Sequence, residues 1–269
     1  MDFKVGDKIG PWTIQSIIRI ERSRCIAVVN QPNISKEYVI KIKYKPTEYR
    51  NIIKYDLTNH NGIKLPNHVQ VFGENGSDYT EKFWYVMEKY DADCSKGNTF
   101  DLDINKLIQS TIGFLKHLHR EHKIIHGDIK LENILYRDGT YTVCDYEAMT
   151  EAETSTLCNE DDYNNYYFYS YGAEYDKPIF SYRFDLQSLG YMLMIIDNNY
   201  NLLDFQTKAQ KYYTDRSRSN HYAELEILKA KYEISDKINA YFKIIDAVDW
   251  FCLDPPANEI YDGVIALFS

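Results

Sequence analysis

The 269-residue sequence lacks clustered cysteines, long apolar runs and any excess of positive charge. Its 5 cysteines are scattered without a CxxC pair, so we expect neither a disulfide framework nor a zinc site, and reduced thiols fit an intracellular protein. The apolar run YMLMII at 191–196 is too short to cross a bilayer. The amino terminus, MDFKVGDKIG, has no long apolar stretch, so we expect no signal peptide and a cytoplasmic location.

The chain is acidic and rich in tyrosine. It carries 31 Lys and Arg residues against 40 Asp and Glu residues, a net charge of −9. A chain this acidic is a poor general binder of nucleic acid or anionic membranes, so we expect neither as a partner. The 25 tyrosines and the apolar fraction of 44% indicate a folded protein, long enough for one large domain or two small lobes.

The hydrophobic pattern changes from strand-like to helix-like along the chain. Runs rich in β-branched residues predict strands at 12–20, 25–30, 37–44, 68–74 and 82–90. A short helix is predicted at 47–57, with Thr47 as its N-cap. Apolar residues at helical spacing predict helices at 103–122, 185–196, 222–232 and 238–251. This order predicts an α+β protein of two lobes, residues 1–90 and residues 91–269.

The segment 124–147, IIHGDIKLENILYRDGTYTVCDYE, carries the chemistry of the sequence. A polar loop leads into two short strands, NILY and YTVCD, which the turn dipeptide Asp138-Gly139 joins. The polar side chains that this hairpin presents are Asp128, Lys130, Asn133 and Asp145. This set suits phosphoryl transfer, because one carboxylate can orient the attacking hydroxyl, a second carboxylate and an amide can hold Mg²⁺, and a lysine can neutralise the moving phosphate.

Several motifs occur in the order found in protein kinases. HGDIKLEN at 126–133 resembles the H-R-D-x-K-x-x-N catalytic loop, and Asp145-Tyr146-Glu147 resembles D-F-G. Upstream, YVIK at 38–41 resembles V-A-I-K. Downstream, the Gly-Ala-Glu at 172–174 and the DLQSLGYML helix at 185–193 resemble A-P-E and the helix that follows it. The chain thus resembles the protein kinase superfamily, which implies a bilobal fold with an N-lobe antiparallel sheet plus one helix and a mainly helical C-lobe.

Within the superfamily, the sequence is most similar to the casein kinase and vaccinia-related kinase branch, which includes compact viral members. HGD replaces HRD, and Thr47-Glu48 begins a helix a few residues after the lysine, as in that branch. The run VMEKYDADCSK at 86–96 resembles its hinge. The resemblance implies a serine/threonine protein kinase that uses ATP and Mg²⁺, acts on a protein substrate and is monomeric; a viral member would act in the host cytoplasm.

The resemblance also assigns roles to individual residues. Catalytic roles fall to Lys41, Glu48, Asp128 and Lys130. Mg²⁺ ligands are expected at Asn133 and Asp145, and Asp185 is expected to anchor the catalytic loop. The ATP-binding residues implied are Ile18, Ile26, Val39, Lys41, Met87, Glu88, Tyr90 and Leu135. In these roles Lys41 pairs with Glu48 and holds the α- and β-phosphates, Asp128 orients the substrate hydroxyl, and Lys130 contacts the γ-phosphate.

Three positions depart from the kinase pattern. The glycine-rich loop is missing, and its glycine positions fall near Arg19, Glu21 and Arg24. Glycine lets a backbone approach phosphate closely, which these charged residues cannot do in the same way. Two alternatives stay open: the side chain of Arg19, Arg22 or Arg24 reaches the phosphates instead, or Glu21 repels them. Glu147 replaces the glycine of D-F-G, either as a further metal ligand or as an obstruction. Gly127 replaces the arginine of HRD, which argues against control by activation-loop phosphorylation.

Three functions remain open on the sequence alone. An active protein kinase is favoured because every polar catalytic residue is present. A pseudokinase or scaffold is suggested by the lost glycines and by Glu147. A small-molecule phosphotransferase of the aminoglycoside or choline kinase type is suggested by Asp145-Tyr146-Glu147, since the metal motif of those enzymes often reads Asp-aromatic-Glu, whereas Lys130 argues against it.

Overall fold

The protein was analysed as a computed structural model that describes residues 3–59, 64–72, 79–99, 101–152, 181–197, 234–249, 252 and 254–269. The chain divides into two compact units. The first comprises Met1–Asp91 together with Asp145–Glu147, and the second comprises Ala92–Cys144 and Ala148–Ser269. No helix in the described part of the chain combines the length and hydropathy needed to span a membrane.

The first unit is built on a six-stranded antiparallel sheet with the spatial order β1-β2-β3-β4-β6-β5. Its strands are β1 (Lys8–Ile9), β2 (Trp12–Ile20), β3 (Arg24–Asn30), β4 (Tyr38–Lys43), β5 (Lys64–Phe72) and β6 (Tyr79–Glu88). The strand predictions at 12–20, 25–30, 37–44 and 82–90 are therefore confirmed, and the N-lobe antiparallel sheet with them. The segment 31–36 connects β3 to β4, as its proline and asparagine predicted.

The two faces of this sheet differ in character. Residues directly opposite each other on antiparallel strands share a face, and residues along one strand alternate between faces. One face carries a buried apolar core that includes Ile14, Ala27, Ile40 and Trp84. On the other face Ile26 lies opposite Lys41, Val39 opposite Met87 and Lys41 opposite Tyr85. The core thus packs on one side of the sheet, and the other side carries Lys41 together with apolar side chains.

Helix α1 (Thr47–Lys54) follows β4 and turns Glu48 and Ile52 inward. The prediction that Thr47 is the N-cap is wrong. Pro46 occupies that position, and its carbonyl accepts the first helical hydrogen bond from Arg50 N at 2.8 Å. Thr47 is already helical, and no side chain caps the helix.

The second unit is mainly helical in the residues that the structure describes. Its helices are α2 (Ile104–His117), α3 (Tyr182–Asp197), α4 (Asp236–Ile245) and α5 (Asn258–Leu267), and a π-helical turn (Leu118–His122) extends α2. Asp103 caps α2 by accepting from Lys106 N at 3.1 Å. In α3 every side chain before Asp197 is buried, which explains the apolar run from Leu189 to Ile196. The sequence did not predict α5, and the predicted helix at 222–232 lies outside the described residues.

Two small sheets carry the polar loop. Strands β7 (Ala92–Asp93), β9 (Ile134–Arg137) and β10 (Thr140–Val143) form one sheet, and β8 (Ile124–Ile125) pairs with β11 (Thr150–Glu151) in the other. Asp138 and Gly139 both have positive φ, 49° and 75°, as a two-residue hairpin turn requires. The hairpin predicted from Asp138-Gly139 is therefore confirmed.

Adjacent isoleucines on α1 provide a test of this packing. Ile52 is fully buried, whereas Ile53 is 54% exposed. We expect Ile52→Ala to lower the free energy of unfolding by about 2–5 kcal/mol, because it removes buried methylenes and leaves a cavity. Ile53→Ala should change it by less than about 0.5 kcal/mol. Urea unfolding followed by tryptophan fluorescence measures both, and equal losses would contradict the inward orientation of Ile52.

Candidate functional site

Lys41 lies at the centre of a buried charge cluster in the first unit. Its ammonium group lies 2.9 Å from Glu48 on α1 and 2.9 Å from Asp145. Burial alone lowers the pKa of Lys41, but the two carboxylates outweigh this effect and hold the pKa above its ordinary value. Lys41 is therefore charged at neutral pH, and the structure brings it together with Glu48 and Asp145.

Lys43 belongs to the same cluster. It follows Lys41 by two residues on β4 and therefore points to the same face of the sheet. Its ammonium group lies 3.2 Å from Glu48 and forms an ion pair with Glu147. The Tyr85 hydroxyl donates to the Glu48 carboxylate at 2.8 Å. Glu48 is thus held by both lysines and by a phenol.

Tyr146 ties the segment between Asp145 and Glu147 to α1. Its side chain is 1% exposed, its backbone N–H donates to Glu48 at 3.2 Å, and its carbonyl accepts from Asn51 Nδ2 at 2.7 Å. Asp145 has a φ of 66°, in the left-handed region that carboxylate and amide residues tolerate better than most. The backbone of Tyr146 is therefore fixed by hydrogen bonds through both its N–H and its carbonyl group.

The predicted adenine-site residues fall in several places. Ile26 and Val39 are partly buried and Met87 is buried, on the same sheet face as Lys41. Ile18 is 57% exposed and is the extra residue of a β-bulge.

The remaining adenine-site residues lie on the hinge run and in the second unit. Glu88 forms an ion pair with Lys36 at 2.5 Å, and Tyr90 is partly buried. Leu135 belongs to the second unit, on β9 opposite Thr142 of β10.

The β2–β3 hairpin carries charged residues where kinases have glycines. Arg24 donates to the Glu21 carboxylate through Nε at 2.8 Å and through Nη2 at 3.1 Å, and Arg19 Nε lies 2.5 Å from the same carboxylate. The hydrogen bond from Arg24 is the main reason why the pKa of Glu21 lies below its ordinary value. Glu21 therefore occupies the space between the two guanidinium groups as an internal anion.

The catalytic-loop residues come together in the second unit. The Asp128 carboxylate accepts from Lys130 Nζ at 2.7 Å and from Asn133 Nδ2 at 2.8 Å. Asn133 Nδ2 also donates to the Asp128 carbonyl at 2.9 Å. These contacts fix the direction of the Asp128 carboxylate and place a cation beside it.

Asp185 on α3 anchors the backbone of this loop. Its carboxylate accepts from His126 N at 2.6 Å and from Gly127 N at 2.9 Å. His119 lies 2.9 Å from the same carboxylate and 2.8 Å from the Tyr261 hydroxyl of α5. Burial alone raises the pKa of Asp185, but the hydrogen bonds from His119 and His126 hold it below the ordinary value. Asp185 is thus a buried carboxylate with several donors.

Gly127 is required by the backbone of the loop. Its φ is 79°, and a Cβ atom at this position would lie 2.7 Å from the Ala148 carbonyl oxygen. The arginine that kinases carry here would meet both the strained backbone and this carbonyl. The replacement of HRD by HGD therefore has a local steric reason.

The donor set fits Mg²⁺ better than a dedicated transition-metal centre. Asn133, in the second unit, and Asp145, in the first unit, each carry a side-chain oxygen. Mg²⁺ is commonly bound by one or two protein ligands together with substrate phosphates. The amide nitrogen of Asn133 is used by Asp128, so its oxygen is the atom suited to a cation. Among the described residues, no group of three or more His, Cys, Asp or Glu side chains is arranged to hold a metal.

Sequence reasoning missed the residues that support the site. Lys43 could have been found, because period-two alternation places it on the Lys41 face. Tyr85 and Asn51 are recognised only from strand register and helix packing. The Gly-Ala-Glu motif at 172–174 lies outside the described residues.

Gly127 can be tested against a second glycine of the same unit. We expect Gly127→Ala to lower stability by roughly 1–3 kcal/mol, because the left-handed backbone and the Ala148 carbonyl both oppose a Cβ atom. Gly113 is exposed within α2, and a Cβ there meets no atom within 4 Å. Gly113→Ala should therefore stabilise the protein by up to about 1 kcal/mol. Thermal unfolding that shows no difference between the variants would refute the steric argument.

Comparison with known proteins identifies the family. Residues 29–256 match the protein kinase domain family. A 50-residue stretch is 40% identical to calcium/calmodulin-dependent protein kinase type I of Schizosaccharomyces pombe, and it covers 19% of this chain and 15% of that protein.

A solved structure shows the same fold. The Cydia pomonella Granulovirus kinase, PK-1, is similar with a TM-score of 0.50 and 22% sequence identity, covering 67% of this chain and 68% of that chain. The sheet and helices thus have the protein kinase fold. With the family match over most of its length, the chain belongs to the protein kinase domain family.

Proposed function

We propose that this chain is an active serine/threonine protein kinase that transfers the γ-phosphate of ATP to a protein hydroxyl. The observation that carries the proposal is the cluster in which Lys41 is buried between Glu48 and Asp145 at 2.9 Å from each. Burying a lysine and two carboxylates costs desolvation free energy that their attraction only partly offsets, so a gain in stability does not explain this cluster. A functional role for Lys41 does. Family membership supports phosphate transfer to protein, and the residues of the catalytic loop support activity.

Each polar residue then has one task. Lys41 binds the α- and β-phosphates, and Glu48 fixes its direction. Asp128 accepts the hydroxyl proton, because Lys130 and Asn133 already hold its carboxylate in place. Lys130, whose ammonium group lies beside this carboxylate, contacts the γ-phosphate as the hydroxyl attacks. The Asp185 contacts keep the loop backbone from moving during this step.

Asn133 and Asp145 supply the oxygen ligands for Mg²⁺ in this proposal. The metal, when bound, neutralises the charge that develops on the phosphate oxygens. Ile26, Val39 and Met87 provide apolar surface for adenine in the first unit, and Ile18 and Leu135 keep the ATP-binding roles that the resemblance to kinases implies. Glu88 and Tyr90 present backbone groups of the hinge.

Lysine at position 130 and the HGD sequence support assignment to serine/threonine kinases of the casein kinase and vaccinia-related branch. The early Thr47-Glu48 helix, which begins a few residues after Lys41, supports the same branch. The Schizosaccharomyces pombe relative is named a calcium/calmodulin-dependent protein kinase, which supports protein kinase activity and does not bear on the branch; the match spans only 15% of its length.

A pseudokinase is the second candidate, and the β2–β3 hairpin favours it. Where a glycine-rich loop offers backbone amides to phosphate, this hairpin offers the guanidinium groups of Arg19 and Arg24. Both groups are already paired with Glu21. ATP phosphates must displace Glu21 before these guanidinium groups can bind them. An ATP-binding protein with little turnover would follow if that exchange is unfavourable.

Phosphate incorporation from radiolabelled ATP into a mixture of soluble proteins tests the first candidate. We expect Mg²⁺-dependent labelling on serine and threonine, and a loss of about 10²–10⁴-fold in Asp128→Asn, because the proton acceptor is removed. Glu132→Gln is the matched control, since Glu132 is an exposed carboxylate in the same loop.

The same assay separates the alternatives. ATP-dependent thermal stabilisation without any labelling would establish the pseudokinase. Labelling of a free amino alcohol or aminoglycoside, with none of protein, would establish a small-molecule phosphotransferase. Labelling that survives Asp128→Asn unchanged would contradict the role of Asp128.

A further inference from the structure

Lys43 and Glu147 are partners, although neither is a residue that the kinase motifs require. Lys43 has a side chain only 9% exposed, whereas Glu147 is 43% exposed, and their charged groups are in direct contact. Glu147 stands where kinases have the glycine of D-F-G. The carboxylate that the sequence predicts to be either a metal ligand or an obstruction is thus engaged by a lysine of β4.

The contacts form an alternating chain of charges. Glu147 contacts Lys43, Lys43 lies 3.2 Å from Glu48, Glu48 lies 2.9 Å from Lys41, and Lys41 lies 2.9 Å from Asp145. Both ends of this chain lie on one three-residue segment, Asp145–Glu147. Two lysines at alternate positions of one strand therefore hold the segment at its first and last residues.

The residue between these ends is held as well. Tyr146 is buried, donates to Glu48 and accepts from Asn51. A non-glycine residue at 147 also has fewer backbone conformations available than glycine. Every residue of the segment is therefore fixed by a contact of its own, within the first unit.

We propose that Lys43 and Glu147 form a positioning pair, which fixes the backbone that carries Asp145 and thereby sets the affinity of the site for Mg²⁺. This rests on the proposed function, in which Asp145 is a metal ligand. Groups that orient a metal ligand change metal affinity or activity by about 10–100-fold when they are removed. Glu147 acts through Lys43 in this arrangement and does not contact the metal.

Charge alone predicts a different result from positioning. Removing the positive charge of Lys43 would favour a nearby cation, whereas removing the negative charge of Glu147 would disfavour it. If Glu147 bound the metal directly, substitution of Glu147 would weaken Mg²⁺ binding, and substitution of Lys43 would not. Only a positioning pair predicts that both substitutions weaken Mg²⁺ binding and that the second adds little to the first.

The experiment titrates Mg²⁺ at a fixed excess of ATP and records the concentration that gives half of the ATP-dependent rise in Tm. We expect Lys43→Met and Glu147→Gln each to raise this concentration about tenfold, and the double variant to match either single variant. Lys43→Arg keeps the charge and donors and should restore most of the affinity. Lys116→Met and Asp262→Asn, which break an ion pair at 2.6 Å in the second unit, should leave it unchanged.

Hydrogen exchange of the nucleotide-free protein provides a readout that does not depend on catalysis. Glu147→Gln alters a half-exposed side chain, so it is expected to fold even if Lys43→Met does not. We expect faster amide exchange at residues 145–147 in Glu147→Gln and unchanged exchange in Asp262→Asn.

Opposite effects of the two single variants on Mg²⁺, an effect of Glu147→Gln alone, or unaltered exchange at 145–147 would each overturn the proposal. If the unaltered protein shows no ATP-dependent rise in Tm, the proposed function fails. The exchange result then still decides whether Lys43 and Glu147 hold the segment.

Discussion

The rest of the site depends on the ion pairs that buried Lys41 forms with Glu48 and Asp145 in the first unit. A buried ammonium group loses most of its hydration, and this loss is offset only by well-placed opposite charges. Glu48 and Asp145 provide them at 2.9 Å, from a helix and from a distant segment of the chain. One lysine thus fixes the sheet, α1 and the Asp145 segment relative to one another within a single compact unit.

The sheet makes this possible because its two faces have different tasks. The apolar face buries the core residues, and the opposite face can therefore carry Lys41 and Lys43 without loss of hydrophobic packing. In the second unit, the backbone and the side chains of the catalytic loop likewise have separate partners. Buried α3 supplies Asp185, which holds the backbone of the loop, and the loop side chains Asp128, Lys130 and Asn133 are left to interact with one another.

Much of this was predictable from the sequence, because it depends on local patterns. Runs rich in β-branched residues identified β2, β3, β4 and β6, and the Asp138-Gly139 dipeptide identified the hairpin. The ion pair between Lys43 and Glu147 was not predicted, since it joins residues 104 positions apart through tertiary packing. Thr47 was placed wrongly because N-cap propensity favours threonine, whereas in the structure the Pro46 carbonyl accepts the first helical hydrogen bond. The steric demand at Gly127 comes from Ala148, which sequence spacing does not reveal.

The most direct test of the central claim is a calorimetric titration of Mg-ATP into the unaltered protein and into Lys41→Met. If Lys41 is held by Glu48 and Asp145 in order to bind nucleotide phosphates, the unaltered protein binds Mg-ATP, and the variant binds it at least about tenfold more weakly, since a charged contact to phosphate is lost. Equal affinity of the two proteins for Mg-ATP, with both folded, would contradict the account.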